Sequence, residues 1–277
     1  MKEARNNGVG LGLRPVHYND WIHGTHPIPW CEIISENYMY TKGAPLKKLL
    51  KIRQEIPVAI HGISMSIGSN RNNFSTYLDS LEKLIQCIEP WIVTDHFCWT
   101  GLGGHNSFDL LPLPFTHDSM ARLIEAIDRV QNQLNRKVYF ENISSYIGYK
   151  ESNFQEVDFI NEVLKKSGCG MLLDINNLYV NSHNFSFNPY EYIDKLQKEN
   201  IGEIHLAGHS QVNDFLFDTH DTKISDNVWK LYQYTLNIHG KIPTLIEWDE
   251  SIPPFETLLE ESSIANAIMN GEKLLIP

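Results

Sequence analysis

Cysteine is scarce in this chain, with four residues in 277: Cys31, Cys87, Cys98 and Cys169. They form no Cys-x-x-Cys pair and no close cluster. Zinc ribbons require such pairs, and small secreted domains require a denser set of cysteines. A zinc ribbon is therefore excluded, and a disulfide framework is not expected.

Basic residues are also few. The chain has 23 lysines and arginines but 34 aspartates and glutamates, which gives a formal net charge of −11. Proteins that bind nucleic acid present a basic surface to the phosphates. Nucleic acid is therefore not expected as a partner. Bound divalent cations would offset part of the negative charge, so the composition is compatible with a metalloprotein.

Long apolar runs are missing as well. The first fifteen residues, "MKEARNNGVGLGLRP", lack the apolar core of a secretion signal, and no segment approaches the length of a membrane span. We therefore expect no membrane association and a cytoplasmic location.

The sequence does contain short apolar, β-branched runs at regular intervals. Most are almost continuously hydrophobic, which is typical of parallel strands covered on both faces. They predict eight strands, at residues 9–14, 31–36, 56–62, 91–96, 137–142, 170–176, 202–208 and 243–249.

Several segments between these strands have helical periodicity. Apolar stripes at i, i+3, i+4 spacing run from Leu78 to Ile88 and from Met120 to Leu134. Asn188 and Pro189 predict the N-cap and first residue of another helix. Strands that alternate with helices imply right-handed βαβ units, and eight such units close into a barrel.

We therefore predict an α/β fold, a (β/α)8 TIM barrel that forms a single domain over residues 1–277. The alternative is an open, doubly wound sheet of the dinucleotide-binding type. The barrel is favoured because the strand count is eight and because "GVGLGLRP" lacks the third glycine of that fingerprint.

Side chains of the metal-ligand type lie at the C-terminal ends of six successive predicted strands. Barrel active sites are built at this face. A single histidine or glutamate at a strand end is more often structural, but six on one rim indicate a metal site. The six are His61, His96, Glu141, Asp174, His205 and Glu247.

The stretch "HLAGHSQVNDFLFDTHD", residues 205–221, holds three histidines and three aspartates. Because His205 ends a strand, the following loop is expected to return over the barrel mouth. Asp218 and His220, in extended backbone, would then point to the same side and into the cavity. Asn177, three residues beyond Asp174, could supply a neutral oxygen.

Nine candidate ligands are too many for one ion, because an octahedral ion takes about six ligands including water. Four crowded carboxylates would also repel one another without cations. Two or three divalent ions, with a carboxylate bridging at least one pair, resolve both problems. Imidazole and carboxylate ligands without thiolate suit iron, manganese or zinc.

Three further residues are candidates for supporting roles. Asp95 could orient the neighbouring imidazole of His96. His209 and His17 follow predicted strands on the same face and are candidates for substrate contact, or, for His209, for support of the ligands.

Seven motifs in fixed order carry a family resemblance: "HGISMSIGS", "TDHFCW", "ENISSY", "DINNLYV", "HLAGH", "DTHD" and "LIEWD". They resemble the multinuclear non-haem iron-dependent oxidative enzymes, a family that includes methanobactin-biosynthesis oxidases, over about residues 9–265. The resemblance implies a barrel related to xylose isomerases and endonuclease IV. It also implies oxidation of a cysteine-containing, ribosomally made precursor peptide with iron and dioxygen, commonly beside a partner protein that helps to hold the peptide.

Carried over residue by residue, the resemblance implies three iron positions. The first would use His61, His96 and Glu141. The second would use Asp174, His205 and Glu247, with Glu141 as the bridge. The third would use Asn177, Asp218 and His220, and it should be the weakest because endonuclease IV has a histidine where Asn177 stands here.

Two other enzyme functions are compatible with such a barrel. One is a zinc- or manganese-dependent phosphodiesterase of the endonuclease IV type, in which metal-bound hydroxide attacks phosphate. The net charge and Asn177 count against it. The other is a sugar isomerase or epimerase, which usually needs a lysine or carboxylate poised for proton transfer, and no predicted strand ends in lysine.

Overall fold

The computed structural model of the chain describes residues 8–69, 74–102 and 105–272, so both ends of the predicted domain lie outside the described residues. Strands occur in twelve places in this part of the chain. They are β1 (Val9–Gly12), β2 (Cys31–Ile34), β3 (Val58–His61), β4 (Val93–His96), β5 (Trp99–Leu102), β6 (His105–Leu111), β7 (Tyr139–Glu141), β8 (Gly170–Asp174), β9 (Ile201–Leu206), β10 (Ser210–Val212), β11 (Phe215–Phe217) and β12 (Thr244–Ile246).

Eight of these strands form a closed parallel barrel, in the order β1-β12-β9-β8-β7-β4-β3-β2. They coincide with the eight predicted strands, so the prediction of a (β/α)8 TIM barrel is confirmed. Apolar residues at alternate positions, among them Ile60, Phe140, Leu173 and Ile204, are fully buried in the main hydrophobic core. Since side chains alternate along a strand, the neighbouring polar residues lie on the opposite face, inside the barrel.

Ten α-helices surround the barrel or cap its loops in the described residues. They are α1 (Tyr18–His23), α2 (Glu36–Met39), α3 (Ala44–Glu55), α4 (Phe74–Ile88), α5 (His117–Leu134), α6 (Glu156–Ser167), α7 (Ile175–Asn184), α8 (Pro189–Lys195), α9 (Asp226–His239) and α10 (Phe255–Met269). The predicted stripes of α4 and α5 are largely buried. The Asn188 side chain accepts a hydrogen bond from the Tyr190 N–H, which confirms the predicted start of α8. No helix among the described residues has the length and hydrophobicity needed to cross a membrane.

The sixth barrel strand ends earlier than predicted. We predicted a strand over residues 170–176, but β8 ends at Asp174 and α7 begins at Ile175. The reason is helix capping, because the Asp174 carboxylate accepts a hydrogen bond from the Asn177 N–H at 2.6 Å. Asn177 therefore lies in the first turn of a helix.

Two hairpins outside the barrel follow β4 and β9 and were not predicted. The β10–β11 hairpin lies within the stretch 205–221, which we interpreted as a loop. Its turn contains Asn213 at a φ of 55°, a left-handed conformation that asparagine tolerates better than most residues. The hairpin is hydrogen-bonded to Asn184 of α7, and after it the chain returns to the rim at His220, whose Nδ1 atom lies 3.4 Å from Glu247 Oε2.

Candidate metal centre

The register of the barrel strands brings the strand-end residues together. His96 pairs with Glu141 across β4 and β7, and Asp174 pairs with His205 across β8 and β9. Adjacent parallel strands are about 4.8 Å apart, so residues in register lie on one short arc of the rim. All six predicted strand-end residues are buried: His61, His96, Glu141, Asp174, His205 and Glu247.

Glu141 occupies the middle of this arc. Its Oε2 atom lies 3.2 Å from His96 Nε2, 3.5 Å from His61 Nε2 and 3.9 Å from His205 Nδ1. Its Oε1 atom accepts a hydrogen bond from the Asn177 amide at 3.3 Å. One carboxylate oxygen thus faces three imidazoles that come from three strands.

Two groups of ligand atoms share this glutamate. In each group the ligand atoms lie within 4.8 Å of one another, a spacing that could hold a metal ion. The first group consists of His61, His96 and Glu141, and the second of Glu141, Asp174, His205 and Glu247. Their overlap at Glu141 is the arrangement a bridging carboxylate requires.

Asp218 and His220 reach the same rim from the segment after β11. Asp218 Oδ1 lies 2.6 Å from His220 Nε2, and His220 Nδ1 lies 3.4 Å from Glu247 Oε2. The backbone is not extended as we predicted, because His220 has a φ of 46°. Its N–H donates to the Gly208 carbonyl and its own carbonyl accepts from the Asp249 N–H, and these two bonds hold the left-handed turn.

The surroundings of this third position include a carboxylate that sequence reasoning missed. Asp249 Oδ2 lies 3.1 Å from His220 Nδ1 and forms a further group of possible ligands with His220 and Glu247. Its other oxygen pairs with Arg14 at 2.5 Å. The two charged partners lower the pKa of Asp249 against the effect of burial. Asp249 lies two residues beyond Glu247, the same spacing as the Asp218–His220 pair, which is the signal that could have identified it.

Two more missed glutamates lie inside the barrel. Glu32 and Glu203 are buried on β2 and β9, and Glu32 Oε1 lies 3.4 Å from His205 Nε2. Glu203 Oε1 is 3.9 Å from the same nitrogen. Each is the only acidic residue within its apolar strand, and an isolated acid in such a run is the signal that could have identified it. His205 therefore contacts carboxylates through both ring nitrogens.

The three predicted supporting residues have different surroundings. Asp95 accepts from the His96 N–H at 2.7 Å, but the Gly62 carbonyl, at 3.1 Å, is the nearer partner of His96 Nδ1. Asp95 thus positions the backbone of His96, and its Oδ1 atom also lies 3.8 Å from His96 Nδ1, so a role in orienting the imidazole stays a prediction. His17 is buried 2.9 Å from the Pro253 carbonyl, so the structure does not expose it to substrate.

His209 is linked to the rim through one asparagine. Its Nδ1 atom lies 2.7 Å from Asn176 Oδ1, and the Asn176 amide donates to Asp218 Oδ1 at 2.7 Å. His209 is partly buried, which lowers its pKa. It supports the Asp218 side chain indirectly and is outside the groups of possible ligands.

Burial and neighbouring charges shift the pKa values of several residues in the centre. Burial and the charge of Glu141 raise the pKa of Asp174 well above its usual value. Burial alone would lower the pKa of His205, but Glu247 and Glu32 outweigh it and raise that pKa well above 6.5. Burial and the neighbouring imidazoles of His96 and His205 lower the pKa of His61. These shifts follow from the burial and crowding of like charges, which bound cations would offset.

Unpartnered polar atoms provide the direct test of whether metal ions fit. Two atoms of the predicted ligands, Asp174 Oδ2 and Asn177 Oδ1, are buried without a hydrogen-bond partner in the described part of the chain. Three more are buried without a well-directed hydrogen bond, although each faces an ionisable group at 2.6–3.4 Å: Glu141 Oε2, His205 Nε2 and His220 Nε2. Such atoms are rare in folded proteins because their desolvation is uncompensated. A ligand set of nitrogen and oxygen atoms without thiolate would compensate it by binding iron, manganese or zinc.

Metal removal should destabilise the protein, and more so at higher pH. The raised pKa values of Asp174 and His205 stabilise the metal-free fold at low pH, and that contribution is lost as the pH rises through their folded-state values. We expect the melting temperature of metal-loaded protein to exceed that of chelator-treated protein by on the order of 10 °C at pH 8. The difference should be smaller at pH 6, because protonated imidazoles compete with metal. Differential scanning fluorimetry at both pH values measures it, and coincident melting curves at pH 8 would contradict a metal centre.

Comparison with known proteins identifies what the chain is similar to. Residues 8–270 match the family described as "RiPP precursor modification enzyme MbnB/TglH/ChrH", where RiPP denotes a ribosomally synthesised and post-translationally modified peptide. A UPF0276 protein of Anaeromyxobacter sp. strain Fw109-5 is 43% identical over 255 residues, covering 92% of this chain and 90% of that protein. A UPF0276 protein of Caulobacter vibrioides is 42% identical over 262 residues, covering 94% of each.

Solved structures with the same fold are much more distant in sequence. A xylose isomerase domain containing protein from Salmonella typhimurium superposes with a TM-score of 0.66 at 11% identity, covering 98% of this chain and all of that one. D-psicose 3-epimerase from Clostridium cellulolyticum gives a TM-score of 0.60 at 9% identity, covering 95% and 97%. These likenesses show a xylose isomerase-like TIM barrel and nothing about the reaction.

Proposed function

Because this chain belongs to the MbnB/TglH/ChrH family of RiPP precursor modification enzymes, we propose that it is a non-haem iron-dependent oxidase. It would use dioxygen to modify a cysteine-containing precursor peptide. The observation that supports this most is the position of Glu141, shared by two buried groups of possible ligands. A carboxylate in that position suits two cooperating ions better than one.

The proposed ligand sets follow the family resemblance. The first two coincide with observed groups of possible ligands, and of the third set Asp218 and His220 lie 2.6 Å apart. The first ion would be held by His61, His96 and Glu141. The second would be held by Glu141, Asp174, His205 and Glu247, and the third by Asn177, Asp218 and His220. When bound, such irons would supply a Lewis-acidic position for the substrate thiolate and the electrons for dioxygen reduction.

The protein's own residues would fix the ligands and limit access of water. The Gly62 carbonyl lies 3.1 Å from His96 Nδ1, and the Thr94 hydroxyl lies 2.7 Å from His61 Nδ1. With their Nδ1 atoms in these contacts, both imidazoles direct their Nε2 atoms at Glu141. Trp248, directly after Glu247, is buried. Preorganised ligands need little rearrangement when metal binds, which favours tight binding.

The metal content of the protein tests this proposal. Anaerobic reconstitution with Fe(II) should give about two to three iron equivalents, in line with the number of available ligands. Elemental analysis is the measurement. Protein that contains only zinc and gains no activity on addition of Fe(II) would favour the phosphodiesterase function instead.

Membership of a family of RiPP precursor modification enzymes implies a precursor peptide as the substrate. We propose in addition that a separate partner protein helps to hold the peptide. Size-exclusion chromatography of this chain with the product of a neighbouring gene, with and without the peptide, tests whether such a complex forms.

The substitution Asn177→Ala should lower the occupancy of one metal position only. Asn177 Oδ1 is unpartnered within the described residues, and a neutral amide is a weaker ligand than a carboxylate. We expect a loss of at most about one metal equivalent, with the other two retained. His183→Ala, on the exposed side of the same helix, is the matched control and should lose none. Loss of all metal from the Asn177 variant would contradict separate positions.

A further inference from the structure

The β10–β11 hairpin presents an apolar face to solvent beside the metal centre. Val212, Phe215 and Phe217 are 55%, 50% and 37% exposed and share one face of the hairpin, because Val212 lies opposite Phe215. Leu216, on the other face, is buried. The ring of Tyr146, itself 45% exposed, stacks on Phe217 at 5.4 Å. Contiguous exposed apolar side chains of this kind commonly mark a binding surface.

The two edges of this hairpin differ. The outer edge of β11 is closed, because the Asn184 side chain donates to the Leu216 carbonyl at 2.9 Å and accepts from the Leu216 N–H at 3.0 Å. Gln211 lies directly opposite Leu216. In an antiparallel ladder, two residues directly opposite each other point their backbone N–H and C=O groups either both towards each other or both outward. Gln211 therefore offers an N–H and a C=O on the outer edge of β10, and β10 pairs only with β11 in the described sheets.

The same hairpin is continuous with the proposed ligands. Asp218 follows β11 directly, and its N–H donates to the Tyr146 hydroxyl at 2.9 Å. At the other end, β10 begins one residue after His209, whose ring contacts Asn176 at the rim. An extended chain laid along β10 would thus have one end at the barrel mouth.

We propose that β10 and the apolar face of the hairpin dock an extended, apolar segment of the precursor peptide by strand addition, next to the residue that is modified. This inference rests on the proposed function, because it takes the peptide as the occupant. Strand addition combines backbone hydrogen bonds with pockets or surfaces for alternate side chains, and the hairpin supplies both. An edge of three residues, about 10 Å long, suits a short peptide segment better than a stable interface between two copies of this chain.

Two substitutions test the edge and the face separately. Gln211→Pro removes the outward N–H while leaving the hairpin's own ladder intact, since proline is tolerated at edge positions. Gln211→Ala is its control, because it removes the side chain but keeps the N–H. The double substitution Val212→Ser with Phe215→Ser removes the apolar face, and Ile238→Ser, a 49% exposed residue on α9, is its control.

The probe is the full-length cysteine-containing precursor peptide encoded beside the gene, labelled with fluorescein. Its binding to metal-loaded protein is measured by fluorescence anisotropy without dioxygen, so that no conversion occurs. We expect Gln211→Pro and the double serine variant each to raise the Kd about tenfold or more, as loss of a backbone hydrogen bond or of two apolar contacts implies. Both controls should bind like the wild type, and the metal content of all variants should be unchanged.

Three outcomes would overturn the proposal. Equal binding by all variants would show that the peptide docks elsewhere. If the wild-type protein binds no peptide by itself and binds it once a partner protein is added, the peptide-binding surface belongs to that partner. Loss of self-association in the variants, seen by sedimentation, would assign the face to a second copy. If binding weakens as expected but the bound peptide is never oxidised, the docking surface stands and the proposed oxidase function is wrong.

Discussion

Replacing Glu141 with alanine should remove more than one equivalent of metal and lower peptide conversion by at least about a thousandfold. The reason is geometric, because Glu141 Oε2 lies within 3.5 Å of His61 Nε2 and 3.2 Å of His96 Nε2, and also 3.9 Å from His205 Nδ1. Among the described groups of possible ligands, Glu141 is the residue that joins His96 to Asp174, whereas His61 is also grouped with His205 and Glu32. A bridging carboxylate serves two ions, so its loss affects both.

Elemental analysis of the Glu141→Ala variant, reconstituted in parallel with the wild type, measures this effect. Glu261→Gln is the matched control. Glu261, on α10, is also buried, but its carboxylate accepts a hydrogen bond from the Ile224 N–H. The control should retain all metal. A Glu141 variant that loses no metal would show that the proposed bridge is wrong.

Replacing His61 with alanine should abolish peptide conversion while leaving part of the metal in place. His61 belongs to the first group of ligand atoms and not to the group around Asp174. We expect loss of about one equivalent, with conversion at least about a thousandfold lower, because the ion at the second position would lose the neighbour with which it shares Glu141. Asp174→Asn should have a comparable effect on conversion, and it preserves the helix cap that Asp174 provides for α7.

Mass spectrometry of the peptide together with circular dichroism of each variant separates loss of chemistry from loss of fold. His239→Ala is the control, since His239 is also buried but its Nε2 atom lies 3.1 Å from the Ile193 carbonyl, in the outer helix layer. The control should convert peptide at a rate near that of the wild type. Full activity in the His61 variant would exclude His61 from the centre.

The barrel itself was predictable because a parallel strand covered on both faces leaves a simple signal, a short and nearly continuous apolar run. The same signal located the strand ends, and so placed His61, Glu141 and His205 on one rim. Barrel geometry brings strand ends together whatever their separation in sequence. That is why residues more than a hundred positions apart could be grouped without coordinates.

Other parts of the site depend on local geometry that leaves no periodic pattern of apolar residues in the sequence. The short β10 and β11 strands, of three residues each, contain too few positions for an alternating pattern. The left-handed turn at His220 is held by hydrogen bonds to Gly208 and Asp249, which are distant in sequence. The β8–α7 boundary was missed because Ile175 continues the apolar run, although Asp174 is itself a favoured N-cap residue.

The interior glutamates were missed for a different reason. Glu32 and Glu203 lie within apolar strands, where a single acid is easily interpreted as a solvent-facing position. Only the closed barrel shows that both side chains are buried near the Nε2 atom of His205. Burial among like charges raises the pKa of Glu203 well above its usual value, so its surroundings disfavour the carboxylate form when no cation is present.

The most direct test of the proposed function is the mass of the precursor peptide after incubation with iron-loaded protein and any partner protein, with and without dioxygen. With Fe(II) and dioxygen, we predict a change of a few hydrogens, an added oxygen or a small loss of carbon, located at a cysteine or its neighbour. Without dioxygen, we predict no change. An unchanged mass in the complete reaction would contradict the proposal. A modification that persists without dioxygen would also contradict it, because the metals would then act as Lewis acids and not as oxidants.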